Sequence, residues 1–289
     1  GTVLEAERQG ENWLVLVNQI PSMGYKVIRF EPKVEESAAD TPFNATANGI
    51  VTPFYEISWN EKGQLTSIFD RDNSREVLAK GQVGNVLQVF EDKPMAHDAW
   101  DIDLYYQEKM RVIEDLVEVT VVDVNSLQAV IRFQWKYMDS TLTQDMVLSA
   151  VSRRIDFRTS VDWQERQQLL KTAFPVDIRS TEATYDIQYG NVKRPTHWNT
   201  SWDWARFETV GHQWADLSER GYGVSLLNDC KYGYDIKNNV MRLSLLKSAV
   251  YPDYAADLGH HEFTYSLLPH AGDWWEGRTV QEAWYLNNP

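Results

Sequence analysis

Short apolar runs, alternating or continuous, dominate the chain and predict β-strands. They lie at residues 13–17, 25–30, 54–59, 117–124 and 129–135, and they have the length and period of strands. Turn-forming residues separate many of the runs. A sustained 3.6-residue period is lacking. The pattern therefore predicts an all-β protein.

The order of these runs predicts how the chain is divided. From residue 112 to 163, four consecutive strands joined by short polar turns indicate an antiparallel meander with one wet face, which suits a large β-sandwich. Residues 31–48 are acidic and poor in large apolar side chains, so they cannot form a core of their own. We predict strands of a small preceding β module at 1–35, a linker at 36–49 and the large sandwich at 50–289.

Charge, cysteine content and hydropathy limit the partners. The formal net charge of −14 argues against nucleic acid, because that binding depends on Lys and Arg neutralising phosphates. A single cysteine excludes an intrachain disulfide and fits a reducing, cytoplasmic location. No apolar run approaches the roughly 20 residues that cross a bilayer, so no membrane partner is expected. Because Gly1 leads almost directly into a predicted strand, we expect a fragment of a longer protein.

Tryptophan side chains stand among polar groups in the segment 174–234, which contains Trp198, Trp202, Trp204 and Trp214. An apolar face beside hydrogen-bonding groups suits a neutral sugar ring. Two further segments match sequence blocks of the same family: HDAWDIDLYYQ at 97–107 and GHHEFTYSLLPHAGDW at 259–274. The three blocks occur in the same order along this chain as in the family. The chain resembles, from about residue 54 onward, the β-sandwich region of glycoside hydrolase family 38, the class II α-mannosidases, in its cytosolic-type branch.

The resemblance implies a large antiparallel sandwich of the galactose mutarotase-like kind and a role in α-mannoside hydrolysis with retention of configuration. It also implies that zinc and the catalytic Asp belong to an upstream barrel, which is joined to a helical bundle. We therefore predict no catalytic residue in this chain, no activity alone, and two kinds of partner: an α-mannoside oligosaccharide and the missing N-terminal catalytic and helical domains. Assembly into a homo-oligomer is left open.

A zinc site within this chain is not expected. Members of the family bind zinc through two His and two Asp, but His97 and its neighbours do not match the family's ligand motifs. His260 and His261 are adjacent, so on a strand they point to opposite faces.

The segment 223–235 reads as a buried strand followed by a polar loop, a position suited to facing a ligand. In related mannosidases the matching loop supplies a basic residue near the substrate, which makes Asn228, Asp229 and Lys231 candidates here. Many relatives outside the cytosolic-type branch have Arg directly after the Asp, whereas this chain has Cys230 and then Lys231. The alternative is a surface hairpin with a solvated Lys231.

Trp100 and Asp101 form a second candidate, because an indole beside a carboxylate can stack on a sugar and accept its hydroxyl hydrogen bonds. The alternative places Trp100 in the core. If residues 202–208 are extended, alternation puts both Trp side chains on one face and Asp203 on the other. We favour core packing of this segment, with Arg206 paired with Glu208 or Asp203, over direct contact with a ligand.

Two other functions stay open. An autonomous carbohydrate-binding module would present a row of exposed Trp side chains, whereas a broad apolar face favours docking to further domains. A free-standing mutarotase-like enzyme would need a His and a Glu converging in one cleft.

Overall fold

The computed structural model describes residues 4–21, 23–31 and 41–288. Its helices are a 3-10 helix at Leu104–Glu108, α1 (Ser201–Ala205) and α2 (Thr279–Asn287). Its strands are β1 (Ala6–Gln9), β2 (Asn12–Val15), β3 (Asn44–Ala45), β4 (Gly49–Val51), β5 (Tyr55–Trp59), β6 (Leu65–Asp70), β7 (Arg75–Glu76), β8 (Val86–Glu91), β9 (Met110–Val112), β10 (Leu116–Val124), β11 (Gln128–Tyr137), β12 (Ser140–Ser149), β13 (Ile155–Trp163), β14 (Gln168–Pro175), β15 (Glu182–Ile187), β16 (Gly190–Pro195), β17 (Thr209–Val210), β18 (Trp214–Glu219), β19 (Tyr222–Asn228), β20 (Gly233–Lys237), β21 (Val240–Lys247) and β22 (Gly259–Ala271).

Every strand pair in the four sheets is antiparallel. The largest sheet has nine strands in the order β10-β11-β12-β13-β22-β19-β18-β15-β16, and its first four strands are the predicted meander. The second has six strands, β17-β20-β21-β14-β8-β9, and the third has five, β3-β4-β5-β6-β7. β1 and β2 form a separate hairpin. The predicted all-β, antiparallel fold is confirmed.

The main core lies between the nine-stranded sheet and a second layer formed by the other two large sheets. Isolated bridges from Leu65 to Gly84 and from Leu78 to Val176 join the five-stranded sheet to the six-stranded one. A single cluster of buried side chains contains residues from all three sheets. It includes Phe133 and Trp163 of the nine-stranded sheet, Trp59 of the five-stranded sheet and Phe174 of the six-stranded sheet. Aromatic and branched side chains in period-two runs therefore produce a two-layer sandwich.

The six-stranded sheet is buried on both sides. Along β14, Leu170 and Phe174 join the main core, whereas Leu169 packs on the opposite side with Phe90 and Tyr106. Two segments cover that outer side: residues 97–108, here called the first covering segment, and residues 198–210, the second covering segment. Their side chains Ile102 and Phe207 pack on the same outer cluster.

The N-terminal part departs from the sequence prediction at one run. Residues 25–30 form no strand, and the side chains of Tyr25, Val27 and Phe30 are exposed. That strand prediction is wrong, because apolar alternation gives a stable strand only where a neighbouring strand or layer is available. Residues 41–49, the end of the predicted linker, pack on the sandwich through the buried Phe43 and the pairing of β3 with β4.

Residues 22 and 32–40, which include the first part of that linker, lie outside the described residues. Within the described ranges, no helix is long and apolar enough to cross a bilayer.

Candidate functional site

A cleft of about 370 Å³ opens on the outer side of the six-stranded sheet. Its walls are mostly apolar: Ile102 comes from the first covering segment, Val210 ends the second, and Tyr232 lies in the loop after β19. Glu208 contributes a carboxylate. The cleft has the size of a ligand pocket, but it has few polar groups with which to orient a ligand by itself.

Beside the cleft lies a buried network of four charged groups. The Lys171 ammonium, which has no exposed surface, contacts the Glu208 carboxylate and lies 2.5 Å from Oδ2 of Asp235. The Tyr106 hydroxyl accepts from Lys171 at 3.1 Å and donates to Glu208 Oε1 at 2.5 Å. Arg242 Nε donates to Asp235 Oδ1 at 2.8 Å. The two cations and two anions balance, so burial leaves no net charge.

The carboxylates keep Lys171 charged. Burial acts to lower the pKa of Lys171, but the negative charges of Asp235 and Glu208 outweigh it and raise that pKa well above its ordinary value.

The predicted loop 228–231 follows a strand in which every residue is buried, as expected. Asn228 itself has no exposed surface. Its amide donates to the carbonyl of His212 and to the hydroxyl of Tyr234, both at 2.7 Å, and its Oδ1 accepts from the Lys231 backbone N–H at 2.7 Å. In this conformation Asn228 shapes the loop and offers no surface to a ligand.

Asp229 and Lys231 lie nearer the surface. Asp229 Oδ2 accepts from the Thr264 backbone N–H at 2.8 Å, which fixes the loop to β22. Its Oδ1 is buried without a hydrogen-bond partner among the described residues. The half-buried Lys231 places its ammonium 4.6 Å from the centre of the Phe263 ring. Partial burial of Cys230 and, to a smaller extent, the neighbouring Asp229 carboxylate raise the pKa of the Cys230 thiol to about 11.

Trp100 and Asp101 are exposed, so the core alternative for Trp100 does not hold. The indole is 67% exposed and lies edge-on to His97 at 6.3 Å between ring centres. Ile102, the next residue after Asp101, lines the same cleft as Tyr232, the residue after Lys231. The structure thus brings the two predicted loops to one cleft, although Trp100 and Lys231 do not themselves line it.

The prediction of core packing for residues 202–208 is wrong. The segment is helical in α1, because Thr200 and Asp203 form a capping box in which each side chain accepts from the other's backbone N–H. Trp202 is 76% exposed and Trp204 47% exposed, so neither packs in the core. The predicted partners also differ, since Asp203 caps the helix and Glu208 binds Lys171.

A Ser–His–Asp group elsewhere does not form a catalytic relay. His270 Nε2 lies 2.8 Å from Asp216 Oδ2 and 3.2 Å from Ser225 Oγ, and Ser225 Oγ lies 2.6 Å from Thr279 Oγ1. All four side chains are buried. Because one ring nitrogen faces both Asp216 and Ser225, with no route for a substrate, the group attaches α2 to the nine-stranded sheet instead.

The described residues do not fit a zinc site. No three His, Cys, Asp or Glu side chains converge within the described part of the chain. His260 and His261 lie on β22, where His260 contacts Glu262 and His261 contacts the carbonyl of Asp257. The cleft contains Glu208 but no His among the residues that line it, so it lacks the pair that a mutarotase-like enzyme needs.

Sequence reasoning missed Lys171, Tyr106 and Tyr232. The available signal was a Lys inside the apolar run 169–174, since a buried Lys requires carboxylate partners. Which carboxylates would reach it depends on the two covering segments, and apolar periodicity does not place those segments.

A comparison with protein-family models identifies the sandwich. Residues 50–255 match the model of the glycosyl hydrolases family 38 C-terminal domain. The chain belongs to glycosyl hydrolase family 38. This family 38 domain is 39% identical over 291 residues to alpha-mannosidase 2C1 of Homo sapiens, covering 97% of this chain and 28% of that protein. It is 39% identical over 242 residues to alpha-mannosidase G of Dictyostelium discoideum, covering 81% of this chain and 22% of that protein.

A solved structure agrees with the fold. The alpha-mannosidase from Enterococcus faecalis V583 superposes with a TM-score of 0.77 at 13% identity, covering 99% of this chain and 38% of that protein. At that identity the likeness concerns the fold alone. The family 38 domain thus spans only about a quarter of the length of the two relatives named above.

Proposed function

We propose that this domain is the C-terminal sandwich of a retaining, zinc-dependent α-mannosidase that removes terminal α-mannose units from oligosaccharides in the cytoplasm. The observation that carries the proposal is the family match over residues 50–255, together with relatives that are named alpha-mannosidases and are much longer than this chain. We assign the catalytic nucleophile and the zinc ligands to preceding domains, and no catalytic residue to this one.

The domain's part in catalysis is to complete a wall of the substrate site. Two loops support this role because both reach the cleft: one carries Trp100 and Asp101, the other Asp229 and Lys231. The exposed indole of Trp100 can stack on a sugar face, and Lys231 can donate a charge-assisted hydrogen bond to a hydroxyl. Asn228 acts indirectly by holding the Lys231 backbone.

Replacing Lys231 with Ala in the full-length enzyme tests this role. Loss of a hydrogen bond from a charged group, about 1.5–3 kcal/mol, lowers kcat/KM roughly ten- to hundredfold. Lys80→Ala, which removes an exposed Lys between β7 and β8, outside both loops, is the control and should leave kcat/KM unchanged. Equal kcat/KM for Lys231→Ala and the parent enzyme would remove Lys231 from the wall.

The 289-residue chain provides a second test. By itself it should neither hydrolyse an aryl α-mannoside nor retain stoichiometric zinc, because we assign both the nucleophile and the metal ligands to preceding domains. Turnover by the isolated chain that a chelator abolishes would contradict that assignment.

A carbohydrate-binding module is the second candidate, supported by the exposed Trp100 and Trp202. Titration of the isolated chain with a mannose oligosaccharide separates the two functions. Saturable binding that Trp100→Ala or Trp202→Ala abolishes favours the module, whereas a wall that works only with other domains gives no measurable heat.

A further inference from the structure

We propose that Lys171 is a positioning residue for the substrate wall, because its ammonium fixes both covering segments to the six-stranded sheet. The inference rests on the proposed function, since it concerns the same cleft. It assigns Lys171 no contact with substrate.

Lys171 lies on an interior strand and its side chain is fully buried, so its position is well constrained. It lies within β14, which pairs with β21 on one side and β8 on the other, so Lys171 is placed on a strand that is held on both sides. Its side chain has no exposed surface. A buried ammonium is strongly unfavourable without partners, so the groups that bind it are constrained to stay in place.

Its three partners come from three separate segments around the cleft. Tyr106 belongs to the first covering segment, six residues after Trp100. Glu208 belongs to the second covering segment and lines the cleft directly. Asp235 lies on β20, four residues after Lys231. The ammonium has three protons, and each can point at one of these groups.

Apolar packing alone would hold these segments less specifically. The outer cluster of Phe90, Tyr106, Leu169, Ile102 and Phe207 gives adhesion, but hydrophobic contacts are not directional. Hydrogen bonds from one ammonium impose distances and angles on all three partners. Lys171 therefore sets the spacing between the walls that carry Ile102, Glu208 and Tyr232.

Amide hydrogen exchange in the full-length enzyme tests the fixation without reference to activity. Lys171→Met should speed exchange of the two covering segments, residues 97–108 and 198–210, by about tenfold or more, because their local opening no longer breaks the network. Asp70→Asn, which removes a buried charge from a different cluster, is the matched control and should leave those segments unchanged. Unchanged exchange in Lys171→Met would overturn the proposal.

Because Lys171→Met leaves an excess of negative charge, a second variant guards against simple misfolding. Lys171→Met/Glu208→Gln removes one charge of each sign and retains the Asp235–Arg242 pair. It should recover thermal stability but still show fast exchange in both covering segments. Recovery of parent-like exchange by the double variant would reduce the role of Lys171 to charge balance and overturn the proposal.

Steady-state kinetics on an aryl α-mannoside link the fixation to function. A displaced wall weakens substrate binding, so Lys171→Met should raise KM by about tenfold, with kcat calculated from the concentration of titrated active sites. A merely structural role would lower the concentration of active sites and leave KM unchanged, which would overturn the inference. If Lys231→Ala and Trp100→Ala lower kcat/KM but Lys171→Met leaves KM unchanged, only this inference fails. If neither Lys231→Ala nor Trp100→Ala lowers kcat/KM, the proposed substrate wall fails as well.

Discussion

The Arg153 guanidinium lies 2.6 Å from Oδ2 of Asp70, a carboxylate whose side chain has no exposed surface. The Tyr222 hydroxyl donates to the same oxygen at 2.9 Å. Asp70 ends β6 in the five-stranded sheet, whereas Tyr222 begins β19 in the nine-stranded sheet. A single buried carboxylate thus connects the two layers of the sandwich.

Asp70→Asn should destabilise the chain at neutral pH but not in acid. Burial acts to raise the pKa of Asp70, but hydrogen bonds from Arg153 and Asn73 outweigh it and lower that pKa. A carboxyl with a lowered folded-state pKa stabilises above its unfolded pKa, near 3.8, and the contribution disappears as the pH falls through the folded pKa. We expect a loss of about 2 kcal/mol at pH 7 that becomes smaller as the pH falls below 3.8, measured by denaturant unfolding.

The control for this prediction is Asp72→Asn. Asp72 binds the same guanidinium but is 60% exposed, so its loss should change the free energy of unfolding by no more than about 0.5 kcal/mol. Equal effects of the two substitutions would show that burial of Asp70 is not what makes its pair important.

Cys230 should react slowly although it lies at the surface. With its pKa raised from 9.0 to about 11, the thiol forms roughly a hundredfold less thiolate near neutral pH. The rate of alkylation by iodoacetamide should therefore rise with an apparent pKa near 11, and no other cysteine contributes to the signal. Asp229→Asn removes the nearby negative charge and should lower that apparent pKa. A parent profile with an inflection near 8.5 would contradict the prediction.

Asn228→Ala should destabilise the chain through the loop. It leaves the Lys231 N–H and the His212 carbonyl without their partner, at a cost of about 3 kcal/mol. The melting temperature should fall by roughly 6–12 °C in a calorimetric scan. Asn191→Ala, at an exposed position on β16, should change it by less than about 2 °C. Matching melting temperatures for the two variants would mean that the Asn228 hydrogen bonds add no net stability.

Gly223→Ala should disrupt the buried His270 group. A Cβ at this position would lie 2.4 Å from Cε1 of His270 and 2.3 Å from Oγ of Ser218. Because His270 is also held by Asp216, relief requires a shift of the packed network, at a cost of about 1–3 kcal/mol. Gly190→Ala, where no atom lies within 4 Å, is the matched control. Urea unfolding should separate the two, and equal midpoints would refute the predicted clash.

Periodicity predicted most of the sheet structure because side-chain alternation directly reports which face of a strand is buried. The meander β10–β13 and the buried strand before Asp229 follow from such runs. Residues 25–30 show the limit, since alternation does not reveal whether a partner strand exists. In α1, the capping pair Thr200 and Asp203 was a local helix signal that outweighed the expected alternation.

The candidate site was less predictable than the fold. A strand end located the loop of Lys231, and an indole beside a carboxylate singled out Trp100. The importance of Lys171, by contrast, depends on contacts between residues 171 and 106, 208 and 235. These are long-range contacts, and no local pattern encodes them. The family match identifies the domain, but it does not say which of its residues form the proposed wall of the substrate site.

The position of β22 has a consequence for biosynthesis. β22 pairs with β13 on one side and β19 on the other, so it is the shared seam between two four-stranded halves of the largest sheet. During translation, each half of the sheet has an unpaired edge strand until Gly259–Ala271 leaves the ribosome and can pair with both. Premature termination before residue 259 would therefore split the sheet in its middle instead of trimming an end, and it would leave two open edges prone to aggregation.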